Sequence, residues 1–228
     1  MMMKELYDGS ISISSMAAAD LKNLIQTGEG TYLEFKRTTP APVKIAREMA
    51  AFANTKGGTI LVGVNDDKSI SGIQDYYEEE FLLEKAASEY CVPAIPITID
   101  LVHLPESDVM VVRVPEMESK PVYNKGKKVR QVFIRRGEES VLASDERIQI
   151  LKQSSSGEGV TFEYGTDEQT LFRFLNEYGE ITVQKYAHLI NVTTYRSSKI
   201  LVNLVSAGIL RLSSRDKDEY FMFSERTK

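Results

Sequence analysis

Residues 52–64, Phe-Ala-Asn-Thr-Lys-Gly-Gly-Thr-Ile-Leu-Val-Gly-Val, constrain the fold more than any other stretch of the chain. A helix must end at the glycine pair, because glycine favours a turn over a continued helix. The residues that follow, Thr59–Val64, are almost wholly apolar, which predicts a strand covered on both faces. The order of elements excludes a phosphate-binding loop. Such loops run from strand through glycines into a helix, so that phosphate meets the positive end of the helix dipole. Here the turn sits at the negative end. The glycines therefore read as a tight turn that lets the helix pack closely on the strand.

The surrounding pattern predicts an α+β domain over residues 1–152, with helices flanking a mixed sheet. Helical spacing covers residues 17–27, with Leu21, Leu24 and Ile25 on one face, and Gly28 and Gly30 stop it. Tyr32, Leu33 and Phe35 mark a short strand. Pro40 and Pro42 precede a second helix whose stripe is Ile45, Met49, Phe52 and Ala53. Asn65–Ser69 reads as a turn, with Ile70–Ile73 returning as a hairpin. A third helix spans Tyr77–Tyr90, and strands follow at Ile97–Leu104, Val109–Val114 and Gln131–Arg136. Ser144 is an N-cap for a helix ending near Lys152. Residues 153–165 contain Ser154-Ser-Ser-Gly-Glu-Gly159 and read as a linker.

Residues 166–228 form a second, smaller domain. Thr166 and Gln169 fit a capping box, and Leu171, Phe172, Leu175 and Tyr178 give a helical stripe closed by Gly179. Thr182–Leu189 is a short helix, and Thr193 caps a third helix that reaches Ala207 and ends at Gly208. On that helix Ile200, Leu201, Leu204 and Val205 point one way, and Tyr195, Arg196, Lys199 and Asn203 the other. Two strands, Ile209–Leu212 and Tyr220–Phe223, flank a polar loop. Three helices and a hairpin in this order resemble a winged helix-turn-helix domain, which implies DNA binding.

The charge distribution agrees with a local nucleic-acid surface. The whole chain carries a net charge of −5, which argues against wholesale binding. From Ile181 to Arg215, however, there is no acidic residue, while Lys185, Arg196, Lys199, Arg211 and Arg215 are basic. Arg196 is suited to read guanine and Asn203 adenine. Lys185, Lys199 and Arg215 are suited to phosphate. A second acid-free run, Ser119–Gly137, holds Lys120, Lys125, Lys127, Lys128, Arg130, Arg135 and Arg136, with Tyr123 and Phe133 interleaved as stacking platforms. The competing reading of that run is a solvated hairpin whose lysines guard an edge strand.

Other classes are excluded more simply. Cys91 is the single cysteine, so there is no intrachain disulfide and no cysteine-rich zinc site. His103 and His188 match no metal-ligand spacing and read as structural. No apolar run approaches the ~18–20 residues of a membrane span, and the first residues do not form a signal peptide, so a cytoplasmic location is expected.

Leu33-Glu-Phe-Lys36, Ala51-Phe-Ala-Asn-Thr-Lys-Gly-Gly58, Ile60-Leu-Val-Gly-Val64, Asn65-Asp-Asp67 and Val132-Phe-Ile-Arg-Arg-Gly137 together resemble the Schlafen/AlbA-type domain, also called a divergent AAA domain, over residues 15–150. The resemblance implies an α+β fold and nucleic-acid binding. Bacterial members often carry a C-terminal winged helix and are described as transcriptional regulators. Members that cleave RNA use three acidic residues, and Glu29, Glu34 and Asp66 fall at those positions. Three converging carboxylates can hold Mg²⁺ or Mn²⁺ and activate water, which makes a metal-dependent endoribonuclease acting on RNA the enzymatic alternative. Against it stands a plain pairing of Glu34 with Lys36 or Lys56, with Asp66 making the turn. The expectation is a two-domain DNA-binding transcriptional regulator without a cofactor, acting as a homodimer. A non-catalytic protein-interaction module is the further alternative.

Overall fold

The computed structural model describes residues 11–13, 16–126, 129–156, 162, 164–215 and 218–224. The chain divides into two compact units, the division falling between Ala143 and Ser144.

The N-terminal unit runs β1 (Ile11–Ile13), α1 (Ala18–Thr27), β2 (Leu33–Lys36), α2 (Pro42–Asn54), β3 (Gly58–Val62), α3 (Tyr76–Lys85), β4 (Cys91–Val92), β5 (Thr98–His103), β6 (Asp108–Val114), β7 (Tyr123–Lys125), β8 (Arg130–Arg136) and β9 (Glu139–Leu142). One π-helical turn, Ala86–Tyr90, extends α3, so the helix predicted to end at Tyr90 loosens over its last residues. The first sheet is mixed, in the order β1-β5-β6-β3-β2, with β1 parallel to β5 and β2 parallel to β3. The second is antiparallel, in the order β4-β7-β8-β9. β1, β4, β7 and β9 were not read from the sequence, carrying no apolar alternation strong enough to mark them.

As predicted, β3 is covered on both faces. Ile60 and Val62 join the core built on α2 and α3, while Leu61 packs with Leu21 and Ile25 of α1 and with Leu33 and Phe35 of β2. Alternation along β3 divides the two cores.

Helix α2 is buried nearly all round. Ile45, Ala46, Met49, Ala50, Ala51, Phe52 and Ala53 are sealed from solvent, and so are the polar side chains Glu48 and Asn54. The second sheet closes over the helix. Cys91 Sγ donates to Ala46 O at 3.6 Å, and Asn124 Nδ2 donates to Val43 O at 3.1 Å. Burial pushes the Cys91 thiol up to about 12, so it behaves as a small packed hydrophobe.

At the end of α2 the glycine turn does what its composition requires. Gly57 has φ +70°, and a Cβ there would stand 2.8 Å from Val114 O and from Glu116 N. A Cβ on Gly58 would enter the Phe52 ring. The residues before the pair act as a clamp. Asn54 Nδ2 donates to Val122 O at 2.8 Å and to Phe133 O at 2.9 Å, and its Oδ1 accepts from Val122 N at 2.7 Å. Thr55 Oγ1 accepts from Arg135 N at 3.0 Å. One turn thus satisfies backbone groups on the second sheet that would otherwise be buried without partners.

The C-terminal unit comprises α4 (Asp145–Ser155), α5 (Thr166–Tyr178), α6 (Val183–Leu189), α7 (Thr194–Ser206) and the antiparallel hairpin β10 (Leu210–Arg215) and β11 (Asp218–Phe223). Its core is Leu171, Leu175, Ile181, Tyr186, Leu201, Leu204, Leu210 and Phe221. Both hairpin strands are longer than the sequence suggested and take up most of the residues read as a polar loop. The α5 cap is Gly165 rather than Thr166, and Glu168 rather than Gln169 folds back to accept from Gly165 N at 2.8 Å.

Helix α4 also differs from expectation. It runs through 153–155, which were read as the start of a linker, and there Ser154 and Ser155 donate back to Leu151 O at 2.9 and 3.1 Å. It groups with the C-terminal unit, not with residues 1–143. Ser144 caps it by accepting from Arg147 N at 3.1 Å and donates to Glu219 Oε2 at 2.5 Å. Glu146 accepts from Ser198 at 2.8 Å. Residues 157–161 and 163 of the predicted linker lie outside the described residues.

Asn54→Ala is expected to destabilise the N-terminal unit by about 2 kcal/mol or more, since it leaves a buried amide and two carbonyls unpaired. Urea-dependent hydrogen exchange read on the α2 and β8 peptides measures this loss.

Candidate nucleic-acid interface

The carboxylate trio is the first candidate. Alternation on β2 sends Leu33 and Phe35 toward α1 and Glu34 to the opposite face, beside α2. There Glu34 meets two cations. Lys36 Nζ donates to Glu34 Oε1, and Arg135 Nη1 donates to Glu34 Oε2 at 2.9 Å. Glu29 accepts from Phe35 N at 2.8 Å. Lys68 donates to Gln26 O at 2.9 Å, which ties the Asn65–Ser69 turn to the end of α1. Asp66 on that turn is exposed, and within electrostatic reach of Glu29. Burial raises the Glu29 carboxyl above its ordinary range. The Phe35 amide opposes the shift, the charge of Glu34 adds to it, Lys36 opposes it and Asp66 adds to it. The three residues thus share a neighbourhood, but Glu34 is already neutralised. Among the described residues no group of three His, Cys, Asp or Glu side chains is placed to hold a metal ion.

The basic run of residues 119–137 does not form one surface. Arg135 is buried, its side chain at 0% exposure. Its guanidinium donates to Glu34, to Glu48 Oε2 at 3.2 Å, to Ser140 Oγ at 3.1 Å and to Gly30 O at 2.7 Å, and lies 4.6 Å over the Phe52 ring. It is an internal hub, not a phosphate contact. It sits between two buried carboxylates, Glu34 of β2 and Glu48 of α2, the latter also accepting from Arg47 at 3.0 Å. Lys120 is also removed from the surface, its side chain at 11% exposure, donating to Glu116 Oε1 at 2.7 Å and Thr55 O at 3.2 Å. Phe133, read as a stacking platform, is buried beneath Arg47. Lys125 and Arg130 are exposed, and Tyr123 and Arg136 are half-buried. Lys127 and Lys128 lie outside the described residues.

The C-terminal candidates fare better. Thr193 Oγ1 accepts from Arg196 N at 3.3 Å and starts α7, so the first turns of the helix carry Tyr195, Arg196 and Lys199 outward. Lys185, Arg211 and Arg215 are exposed as well. Asn203 is the exception. It is half-buried, and its Oδ1 accepts from Gln153 Nε2 of α4 at 3.1 Å, so it is not a free reader of adenine. Sequence spacing placed it on the polar face correctly but carried no sign of α4 beside it.

A groove of about 490 Å³ lies between the start of α5 and α7, with Asp167 and Glu168 on one side and Arg196 and Lys199 on the other. Arg196 Nη2 meets Asp167 Oδ2 at 3.2 Å, and Arg215 meets Glu180 through two parallel bonds of 3.2 and 3.0 Å. Neither pairing was read from the sequence. The available signal was that Glu180 stands immediately before the acid-free run.

The N-terminal unit is the family-defining part of the chain, an α+β domain organised around the buried α2 and its glycine turn. The Schlafen, AlbA_2 family matches residues 29–144, half of the chain, and the protein belongs to that family. No curated protein sequence matches it. Among solved structures it is similar to the N-terminal domain of a RecG-related protein from Nitrosomonas europaea, with 24% identity and a TM-score of 0.43 over 57% of this chain and 92% of that one. It is also similar to the DIP2311 protein from Corynebacterium diphtheriae, with 15% identity and a TM-score of 0.45. That match covers 78% of this chain but only 32% of the other. No helix among the described residues is long and apolar enough to cross a membrane.

Arg135→Ala is expected to cost about 1.5–3 kcal/mol, because it removes the buried donor shared by Glu34, Glu48 and Gly30 O and leaves the carboxylates to Lys36, Arg47 and Ser140, and urea unfolding measures it. Glu29 gives a pH signature. The folded protein holds the Glu29 proton more tightly than the unfolded chain does. Its contribution to stability is therefore full below the ordinary glutamate pKa of about 4.3 and is lost as pH rises through the higher folded value. Glu29→Gln should flatten the pH dependence of the unfolding midpoint in that window.

Proposed function

We propose that the chain binds duplex DNA through its C-terminal unit, used as a winged helix-turn-helix, and regulates transcription as a homodimer. The exposed row Tyr195, Arg196 and Lys199 at the N-terminal end of α7 carries this reading, within a stretch that lacks any acidic residue from Ile181 to Arg215. In helix-turn-helix proteins it is the N-terminal residues of the second helix that reach base edges. Arg196 is the guanine reader in this reading. Lys185 and Lys199 contact phosphate, and the β10–β11 hairpin is the wing, with Arg211 and Arg215 beside the backbone. Exposed Lys125 and Arg130 of the N-terminal unit add basic contacts. Membership of the Schlafen, AlbA_2 family supports a nucleic-acid role.

The ribonuclease reading has weaker support. Metal binding would have to displace Lys36 and Arg135 from Glu34. Structured RNA incubated with Mn²⁺ should therefore remain intact, and cleavage lost in Glu34→Ala would reverse this preference.

Fluorescence anisotropy with duplex DNA tests the main reading. Binding should weaken as salt rises. Arg196→Ala should reduce affinity for the preferred sequence by about 1–3 kcal/mol. Lys199→Ala should weaken all sequences alike and lower the salt slope by about 0.9. Absence of salt-dependent binding by the unmodified protein at about 50 mM salt would sink the proposal.

A further inference from the structure

We infer that Asp167 and Glu180 form an electrostatic mask over the cations of the C-terminal unit and hold down its binding to DNA of arbitrary sequence. The inference rests on the DNA-binding reading above and concerns how that same surface is regulated.

The two carboxylates come from the two ends of one helix. Asp167 lies in the first turn of α5, and Glu180 follows Gly179, which ends it. The arginines they hold come from different elements, Arg196 from α7 and Arg215 from β10. One helix thus neutralises a cation on the candidate reading helix and a cation on the candidate wing. The Glu180 pairing is two-pointed, and Arg215 is further set by the Tyr220 ring 5.3 Å away.

These pairs are open to solvent. The arginine side chains are 64% and 66% exposed and their carboxylate partners 28% and 29%. Ion pairs so placed are weak, so a DNA phosphate can take the arginine from its carboxylate. The displaced carboxylate stays close by and repels the phosphate. Arg196 must release Asp167 for either kind of contact, so that cost is common to all sequences, and the guanine hydrogen bonds gained at the preferred sequence still make up the difference between sequences. The mask lowers the affinity that is common to all DNA and leaves the affinity that depends on sequence.

The test uses the full chain, a random-sequence duplex and a salt series read by anisotropy. Asp167→Asn with Glu180→Gln should bind about tenfold tighter than the unmodified protein, with a salt slope steeper by up to about 1.8, one phosphate contact regained at each arginine. The gain should vanish when Arg196→Ala and Arg215→Ala are added. A control of equal net charge, Glu78→Gln with Glu89→Gln on exposed sites of the N-terminal unit, should give a much smaller change. An equal gain in the control, or unchanged affinity and slope in the mask variant, overturns the inference. Binding by the mask variant at salt concentrations where the unmodified protein, bound at about 50 mM, has already dissociated supports it. Failure of every variant to bind at any salt removes the DNA reading, and the mask with it. Melting followed by circular dichroism separates out a folding defect, and the single variants carry the test if the double one is unfolded.

Discussion

The burial of α2 on nearly all sides is the constraint on which the N-terminal unit depends. A helix in that position cannot leave polar atoms to water, yet it carries Glu48 and Asn54. Each needs a partner from the covering sheet. Arg135 and Ser140 answer Glu48, and Val122 and Phe133 answer Asn54. These bonds join residues far apart in the chain, so the position of the second sheet over the helix is specified by polar satisfaction as well as by apolar packing. Glu34, drawn into the same hub, becomes part of the architecture.

That hub redistributes the charges that looked functional. A run of seven basic residues in a stretch without acids reads as a binding surface when the chain is linear. In the folded unit, Arg135 faces inward because β8 alternates, and Lys120 is held by Glu116 and the Thr55 carbonyl. Among the described residues of the run, Lys125 and Arg130 are the ones that remain exposed. In the C-terminal unit Lys185, Arg196, Lys199, Arg211 and Arg215 face outward, but Arg196 and Arg215 are met by acids from the ends of α5. Net charge along a segment therefore overstated the field that a ligand would meet.

Much of the fold was legible beforehand. The helix–glycine–strand order, the two-sided burial of β3, the three C-terminal helices and the hairpin all follow from local periodicity and from Gly and Pro placement. The short strands β1, β4, β7 and β9 did not, since unlike β2, with its apolar Leu33 and Phe35, they carry no apolar alternation strong enough to mark them. The α4 helix was placed correctly, but its attachment was not. Its partners Leu212, Ser214 and Glu219 lie more than sixty residues away, beyond the reach of any local signal.

The amino-acid sequence by itself determined the family, the turn at Asn54–Gly58 and the polar face of α7. The turn and the polar face depend on residues within a few positions of one another, where glycine conformation and helical spacing act directly, and the family shows in several such short motifs. Only the tertiary structure decided which charges are available. Glu34 against Arg135, Asn203 against Gln153 and Arg196 against Asp167 are encounters between distant segments. Their pairing follows from which faces are buried together, and that is a property of packing rather than of spacing along the chain.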